Sequence, residues 1–381
     1  MQKKILFLLI SGICAFSFFG CNALSGSGQG LQTPQDKAST PQEKSSVNAE
    51  YSIEEDNLSI HVTMSVPEGI SVYAATAREY DMQNAVSAVK SGYTDEQWME
   101  STFDSFDENG KAVTGYRWTL GEEKDIEQKS ITMSSFDMNM ILDGEGFNKC
   151  LNSFREPGVD YENTDRYKEI DGREDRQQIT GWFLDAMEKS KLPIGDMDYG
   201  KCYFLNQETM KEQEGVQDYE GNLVSSNFTW SDADNYYRLY MRQTYQGLPV
   251  YYTDGELGVG LSLRVMPVTA TVKQNDHTLV DCSIERLYEF SSDGESLELM
   301  NTDEIMELVR FRYEDILTES KFSVENAELM YYVYPADGNA YSECEMIPVW
   351  VFEAYEIDDT GYASYESFML NAVTGEEVYV E

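Results

Sequence analysis

An α+β fold is predicted, with tandem modules of one helix on an antiparallel sheet following a β-rich N-terminal region. Three observations predict it. Stretches such as 58–66 (LSIHVTMSV) alternate apolar and polar residues, the period of a half-buried strand. Two segments, around Ile179 and around Ile305, carry apolar residues at helical spacing. Each is followed by three or four stretches rich in aromatic and β-branched residues, so a helix-then-meander order occurs twice. A sheet face and a helix stripe both need cover, and packing one on the other satisfies both.

The elements follow in order. Residues 1–20 read as a secretory signal: Lys3 and Lys4 give a basic start, Ile5 to Gly20 an apolar run, and Gly20 a small residue before the cut. Cys21 directly after Gly20 points to a bacterial lipoprotein whose processed N-terminal cysteine is acylated and holds the chain to a membrane. Phe18 and Phe19 depart from the usual lipobox, where Leu and a small residue stand. Residues 21–48 are Ser, Gly, Gln, Thr, Pro and Lys with almost nothing to bury, the composition of a flexible stalk. What remains is too long for one small core and divides into an N-terminal α+β region at 49–172 and two modules at 173–295 and 296–381.

In the N-terminal region, the 58–66 strand ends at a Pro67–Gly69 turn. Ala85, Val86 and Val89 lie at helical spacing, and Thr94 with Gln97 has capping-box spacing. Tyr116 to Leu120 reads as a strand and the charge-dense 158–175 as a linker. In the first module Ile179, Trp182, Phe183, Ala186 and Met187 form a helix stripe that ends in lysines and Pro193. Strands are expected at 199–205, 235–245, 257–266 and 279–290. In the second module Asn301 or Thr302 caps a helix with Ile305, Leu308, Val309 and Ile316 on one face. Strands are expected at 324–334, 346–357 and 365–372.

Charge and cysteine usage narrow the function. The net charge of −41 repels nucleic acid and anionic lipid, so no nucleic-acid partner is expected. It suits solubility outside the cell, and it also attracts cations and basic partners. Beyond Cys21 the chain has Cys150, Cys202, Cys282 and Cys344, none at metal-type spacing. Their three full pairings are not distinguishable from spacing.

Catalytic signatures are missing from the sequence. Only His61 and His277 occur, and neither has a partner at metal spacing. There is no HExxH, no G-x-S-x-G elbow and no phosphate loop. The segment 104–110 (DSFDENG) resembles part of a calcium loop, but Ser105 falls at its first ligand position and Tyr116 at its twelfth. No metal, no cofactor and no catalytic residue is therefore assigned. The expected role is non-enzymatic binding of a protein, peptide or cell-envelope partner at the extracellular face. The alternative is an extracellular glycan hydrolase with a carboxylate pair in the N-terminal region.

Short motifs in the C-terminal half carry a resemblance. Tyr-x-Gly-Leu-Pro-Val at Tyr245 to Val250, with Gly247 and Pro249, resembles a strand of PepSY-like and protease-propeptide modules. Ile347-Pro348-Val349-Trp350, followed by Asn371-Ala372-Val373-Thr374-Gly375, is similar to the ending of PepSY modules and of YycH/YycI-type regulatory lipoproteins. The whole layout resembles an uncharacterised family of clostridial, Gram-positive lipoproteins. That resemblance implies a cystatin-like helix-on-sheet fold and a binding, inhibitory or regulatory role, and it supplies no catalytic residues. The motif residues themselves read as structural. Gly375 suits a positive-φ turn, Asn371 can bond the turn backbone, and Pro249 and Pro348 suit edge strands. Trp350 reads as a core aromatic; on an exposed edge it would instead mark a surface for strand addition.

Overall fold

The computed structural model describes residues 46–77, 98–106, 112–120, 129–134, 136–154, 163–170, 172–189, 194–214, 216–217, 223–224, 228–252, 266–314, 320–335, 344–358 and 360–379. The signal at 1–20, the acylation site Cys21, the stalk up to residue 45, the helical spacing at 85–89, the capping box at 94–97 and most of the 257–266 strand lie outside them.

The strands in chain order are β1 (Ser46–Glu54), β2 (Leu58–Pro67), β3 (Ser71–Ala77), β4 (Met99–Phe106), β5 (Ala112–Leu120), β6 (Lys129–Met133), β7 (Met138–Ile141), β8 (Lys168–Glu169), β9 (Met197–Leu205), β10 (Val216–Gln217), β11 (Leu223–Val224), β12 (Tyr236–Tyr245), β13 (Leu248–Tyr251), β14 (Val268–Lys273), β15 (Leu279–Ile284), β16 (Tyr288–Phe290), β17 (Glu295–Ser296), β18 (Lys321–Pro335), β19 (Cys344–Ile357), β20 (Ala363–Asn371) and β21 (Glu377–Val378). The helices are α1 (Gly144–Phe154), α2 (Arg173–Lys189), α3 (Gln207–Gln213) and α4 (Thr302–Glu314).

The tandem helix-on-sheet modules expected from the sequence do not form. The described chain is mostly β, and nearly all its strands join one large mixed sheet. In one wing β2 runs between antiparallel β1 and parallel β18, and β18 continues through antiparallel β19 to β20. The far halves of these long strands take other partners, β13 on β18 and β3 on β19. The other wing is antiparallel throughout, in the order β4-β5-β6-β7-β15-β14-β12-β9-β8. Strands from the expected N-terminal region therefore pair with strands of both later regions. The physical reason for the difference is that apolar periodicity reports which face of a strand is covered. It does not report which strand lies along its edge.

The wings meet at the β12–β13 hairpin. Tyr245 pairs with Leu248, leaving Gln246 and Gly247 as a two-residue loop with φ of +50° and +92°. Positive φ at both positions is the type I′ geometry, whose twist matches the flanking strands. Just before the turn, the buried Gln243 acts as a substitute peptide group. Its Nε2 donates to Tyr288 O at 2.9 Å, and its Oε1 accepts from Tyr288 N at 2.7 Å and from Tyr252 OH at 2.7 Å. Neighbouring Arg242 donates to Asp198 on β9 at 3.2 Å and to Glu328 on β18 at 2.6 Å, an ion pair in each wing.

Each wing has its own core. Ile305, Met306, Val309 and Tyr313 of α4 pack on Leu58, Ile60, Val324 and Phe352. Ile179, Phe183 and Met187 of α2 pack on Ile131, Met140, Leu239 and Ala270. The opposite face of this second wing is covered in part by α1 and α3, through Cys150, Phe154 and Met210 against Tyr236 and Tyr240. Asn206 caps α3 by accepting from Thr209 N at 2.9 Å.

Gln243→Leu keeps the volume of this side chain and removes its three buried hydrogen bonds. At about 1 kcal/mol each, the loss of stability expected in urea unfolding is roughly 3 kcal/mol. A loss below about 0.5 kcal/mol would show that the joint does not rest on this side chain.

Candidate functional site

The face of the second wing opposite α2 divides in two. Under α1 and α3 it is apolar with a buried polar cluster; towards β4 it is polar and, among the described residues, open. Alternation explains the open half. In β6, Ile131 and Met133 point into the α2 core, so Thr132 points the other way. Thr132 lies opposite Asn139 on β7, and Asn139 lies opposite Ser283 on β15. These three polar side chains make a row across adjacent strands.

The row forms the floor of a groove of about 470 Å³, whose lining also includes Phe103, Ser134, Asp137, Glu285 and Arg286. Phe103 stands on β4 opposite Gly115 on β5. A Cβ at Gly115 would lie 2.3 Å from Phe103 Cζ, so the ring rests directly on the glycine backbone. The β6–β7 turn is closed by Ser134 and Asp137. Ser134 Oγ donates to Asp137 Oδ2 at 3.0 Å and accepts from Asp137 N at 3.1 Å. Asp137 Oδ1 accepts the backbone N–H of Arg286 at 3.4 Å. Arg286 has φ of +43°, which for a residue with a Cβ costs roughly 1–2 kcal/mol. The strained residue thus sits at the groove, where such strain is most often functional. Glu285 keeps an exposed surface, yet its carboxyl pKa is raised, by desolvation first and by the charge of Asp137 second, with Arg286 opposing.

The buried half of the face holds a charge cluster. Lys149 on α1 pairs with Asp234 at 2.9 Å and Glu145 at 2.8 Å, and donates to Thr229 O at 2.7 Å. Burial alone would lower its pKa, but the hydrogen bonds to the two carboxylates leave it raised. Arg238 pairs with Asp281 at 2.6 Å beside a cavity of about 30 Å³ lined by Cys150. That is room for one or two waters, not for a substrate. The cluster clamps α1 to the sheet.

Of the motif residues singled out in the sequence, Gly247 lies in the turn that joins the wings and the others lie in the other wing, where Pro249 and Pro348 flank one strand. Tyr331 on β18 pairs with Val250, next to Pro249, on one side and with Pro348 on the other. Pro348 is not at an edge, since β19 lies between β18 and β20. Its carbonyl accepts from Ala372 N at 3.0 Å, just beyond the last β20 pair at Val349 and Asn371. Because N–H and C=O of one residue point the same way in an antiparallel ladder, the donor that proline lacks is missed only past the ladder's end. Trp350 is 1% exposed and is core. Asn371 Oδ1 accepts from Val373 N at 2.8 Å and Thr374 N at 3.1 Å, and Gly375 follows with φ of +74°. All of these build the ladder rather than a surface.

The four cysteines in the described residues are buried, and no disulfide joins any two of them. Cys202 and Cys282 lie in one cross-strand row with Leu239 and Ala270 between them. Three strand spacings, roughly 14 Å, put them beyond disulfide reach. Burial pushes the Cys202 thiol up to about 12 and raises those of Cys150 and Cys282 as well. His61 pairs with Glu54 in one wing, and His277 stacks on Trp182 in the other. Among the described residues, no three His, Cys, Asp or Glu side chains are grouped to hold a metal ion.

A solved structure of an uncharacterised protein from Eubacterium rectale is similar over 86% of this chain and 92% of that one, with a TM-score of 0.59 and 13% identity. The likeness is one of fold alone. The C-terminal domain of Bacillus megaterium YpeB aligns over 80% of this chain and 98% of that one at 11% identity, with a TM-score of 0.30, and carries no argument. No protein-family model and no curated protein matches the chain.

The groove residues were missed in the sequence because they come from four strands and two turns. Asp137 lies in the region expected to hold a carboxylate pair; the second acid on the groove, Glu285, lies outside it. The nearest local signal was Ser134 to Asp137, a turn between two alternating stretches.

A carboxyl whose pKa is raised on folding binds its proton more tightly in the native state. Stability is then unaffected well below the ordinary value of 4.5 and falls as pH rises through and above it. Glu285→Gln is expected to be more stable than the parent at about pH 8, with the difference vanishing at about pH 3, by urea unfolding at each pH. A difference of the same size at both would show that charge is not its cause.

Proposed function

We propose that the chain is a lipoprotein, anchored through Cys21 at the extracellular face of the cell membrane, that acts as a non-enzymatic binding module for a protein, peptide or cell-envelope partner. The observation that carries the binding role is the open polar groove on a sheet whose other face is packed by α2. A rigid floor, an exposed aromatic wall and charged groups at one end suit recognition. The anchor rests on the sequence at 1–21. No helix among the described residues is long and apolar enough to cross a membrane.

A second reading has one observation in its favour. Asp137 and Glu285 share the groove, and the raised Glu285 carboxyl is the kind of group a glycan hydrolase uses as its acid. Hydrolysis that is lost in Glu285→Gln would favour it.

Two experiments test the proposal. Metabolic labelling with a palmitate analogue is expected to mark the chain and to fail in Cys21→Ser; equal labelling of both would remove the anchor. A photo-cross-linker at Asn139 is expected to capture an envelope component in cells, while one at Thr63, exposed on β2 in the other wing, captures none. Capture at Thr63 alone would place binding elsewhere.

A further inference from the structure

We propose that the groove binds a neutral, β-linked chain of pyranose sugars, with Phe103 as the stacking platform; this rests on the binding role proposed above and names its ligand class. Four features point to it. The first is Phe103 itself. The outer end of its ring lies over Gly115, with Cζ 2.3 Å from where a Cβ would stand, while the residue remains 38% exposed. A ring seated over a glycine is confined by its neighbour, and its exposed part is available to a ligand without further ordering. Aromatic faces carry partial negative charge, and the axial C–H groups of an equatorially substituted pyranose are polarised positive.

The second feature is the floor. Thr132, Asn139 and Ser283 are registered on three neighbouring strands, so their side chains repeat at roughly 5 Å. That interval is close to the length of one sugar residue in an extended chain. Hydroxyls and an amide both donate and accept, which is what vicinal sugar hydroxyls require. The third feature is charge. Asp137 and Glu285 offset Arg286 and Arg117, whose Nε donates to Thr132 Oγ1 at 3.5 Å, so the groove has no excess positive charge, in a chain of net charge −41. An anionic glycan is repelled, and a neutral one is not.

The fourth feature separates sugar from extended peptide. A peptide that adds as a strand needs unpaired backbone at an edge. The floor strands β6, β7 and β15 are each paired on both sides, so the floor reads its ligand through side chains alone. A groove of about 470 Å³ lies within the usual size range for small ligands, and it accommodates a short oligosaccharide.

The test is calorimetric titration of the full chain with cellotetraose and with tetra-N-acetylchitotetraose, with product analysis after incubation. At least one is expected to bind. Phe103→Ala is expected to weaken that binding roughly tenfold or more, with Phe103→Tyr restoring it. Asn139→Ala, at an exposed position, is expected to weaken it as well and guards against a Phe103 variant that fails to fold. If neither sugar binds, or if binding survives both alanine variants unchanged, the sugar assignment is wrong. A protein adduct at Asn139 together with no sugar binding overturns the sugar class and leaves the binding role standing. Sugar binding with turnover upholds the class and overturns the non-enzymatic reading.

Discussion

The side-chain amide of Gln243 holds together what would otherwise be two separate β structures. It lies at the end of β12, where the chain leaves one wing and turns through Gln246 and Gly247 into β13 of the other. There it hydrogen-bonds both the N–H and the C=O of Tyr288, on the short strand that pairs with β3. A buried amide in this position has no water to fall back on, so its partners fix the angle of the joint. Arg242 reinforces it with one carboxylate from each wing, and Tyr245 packs edge-on against Tyr73 at 4.8 Å and beside Phe290 at 4.7 Å. Separate modules would have exposed the edges of β13, β15 and β18, which this fold closes with β18, with β7, and with β13 and β2.

This joint also decides where a site can form. Among the described residues, wing two is packed by α2 on one face, and α1 and α3 reach over only part of the other. The uncovered part is polar by alternation, is flanked by the β6–β7 turn and by the segment after β15, and carries two features that cost stability. One is the left-handed Arg286; the other is a Glu285 carboxyl whose ionised form the fold disfavours. Natural chains retain such costs where function needs them. The buried Lys149–Asp234 and Arg238–Asp281 pairs differ in kind, because they are enclosed: the first fixes the helix that bounds the open half, and the second ties β12 to β15 across the sheet.

Much of the local structure was legible. The alternation at 58–66 lies in β2, the stripe at 179–187 lies on α2, the segments at 324–334 and 346–357 lie in β18 and β19, and 365–372 lies in β20 except for Ala372. The stripe of Phe147, Cys150, Leu151 and Phe154 on α1 was readable too, but Gly144 and Gly146 at its start obscured it. The topology was not legible. Helix-then-strands occurs twice along the chain, yet β2 and β3 from the first region insert beside β18 and β19, and no periodicity encodes that. The groove was hidden for a related reason. Thr132, Asn139 and Ser283 are ordinary outward-facing residues in sequence, and they become a row only through the register of three strands. The motifs that did stand out, around Pro249, Pro348 and Asn371, mark backbone geometry instead, and their conspicuous spacing served the ladder around Tyr331.

The joint between the wings is tested most directly by following each wing separately through urea unfolding. Trp350 reports the wing covered by α4, and Trp182 reports the wing covered by α2. Variants that keep only one of these tryptophans, with the others replaced by phenylalanine, give two independent fluorescence curves. A single cooperative sheet predicts coincident midpoints, and midpoints that fall together when Gln243 is replaced. Two separated transitions, with only one of them moved by that replacement, would contradict a sheet joined at Gln243 and show that the wings fold as independent bodies.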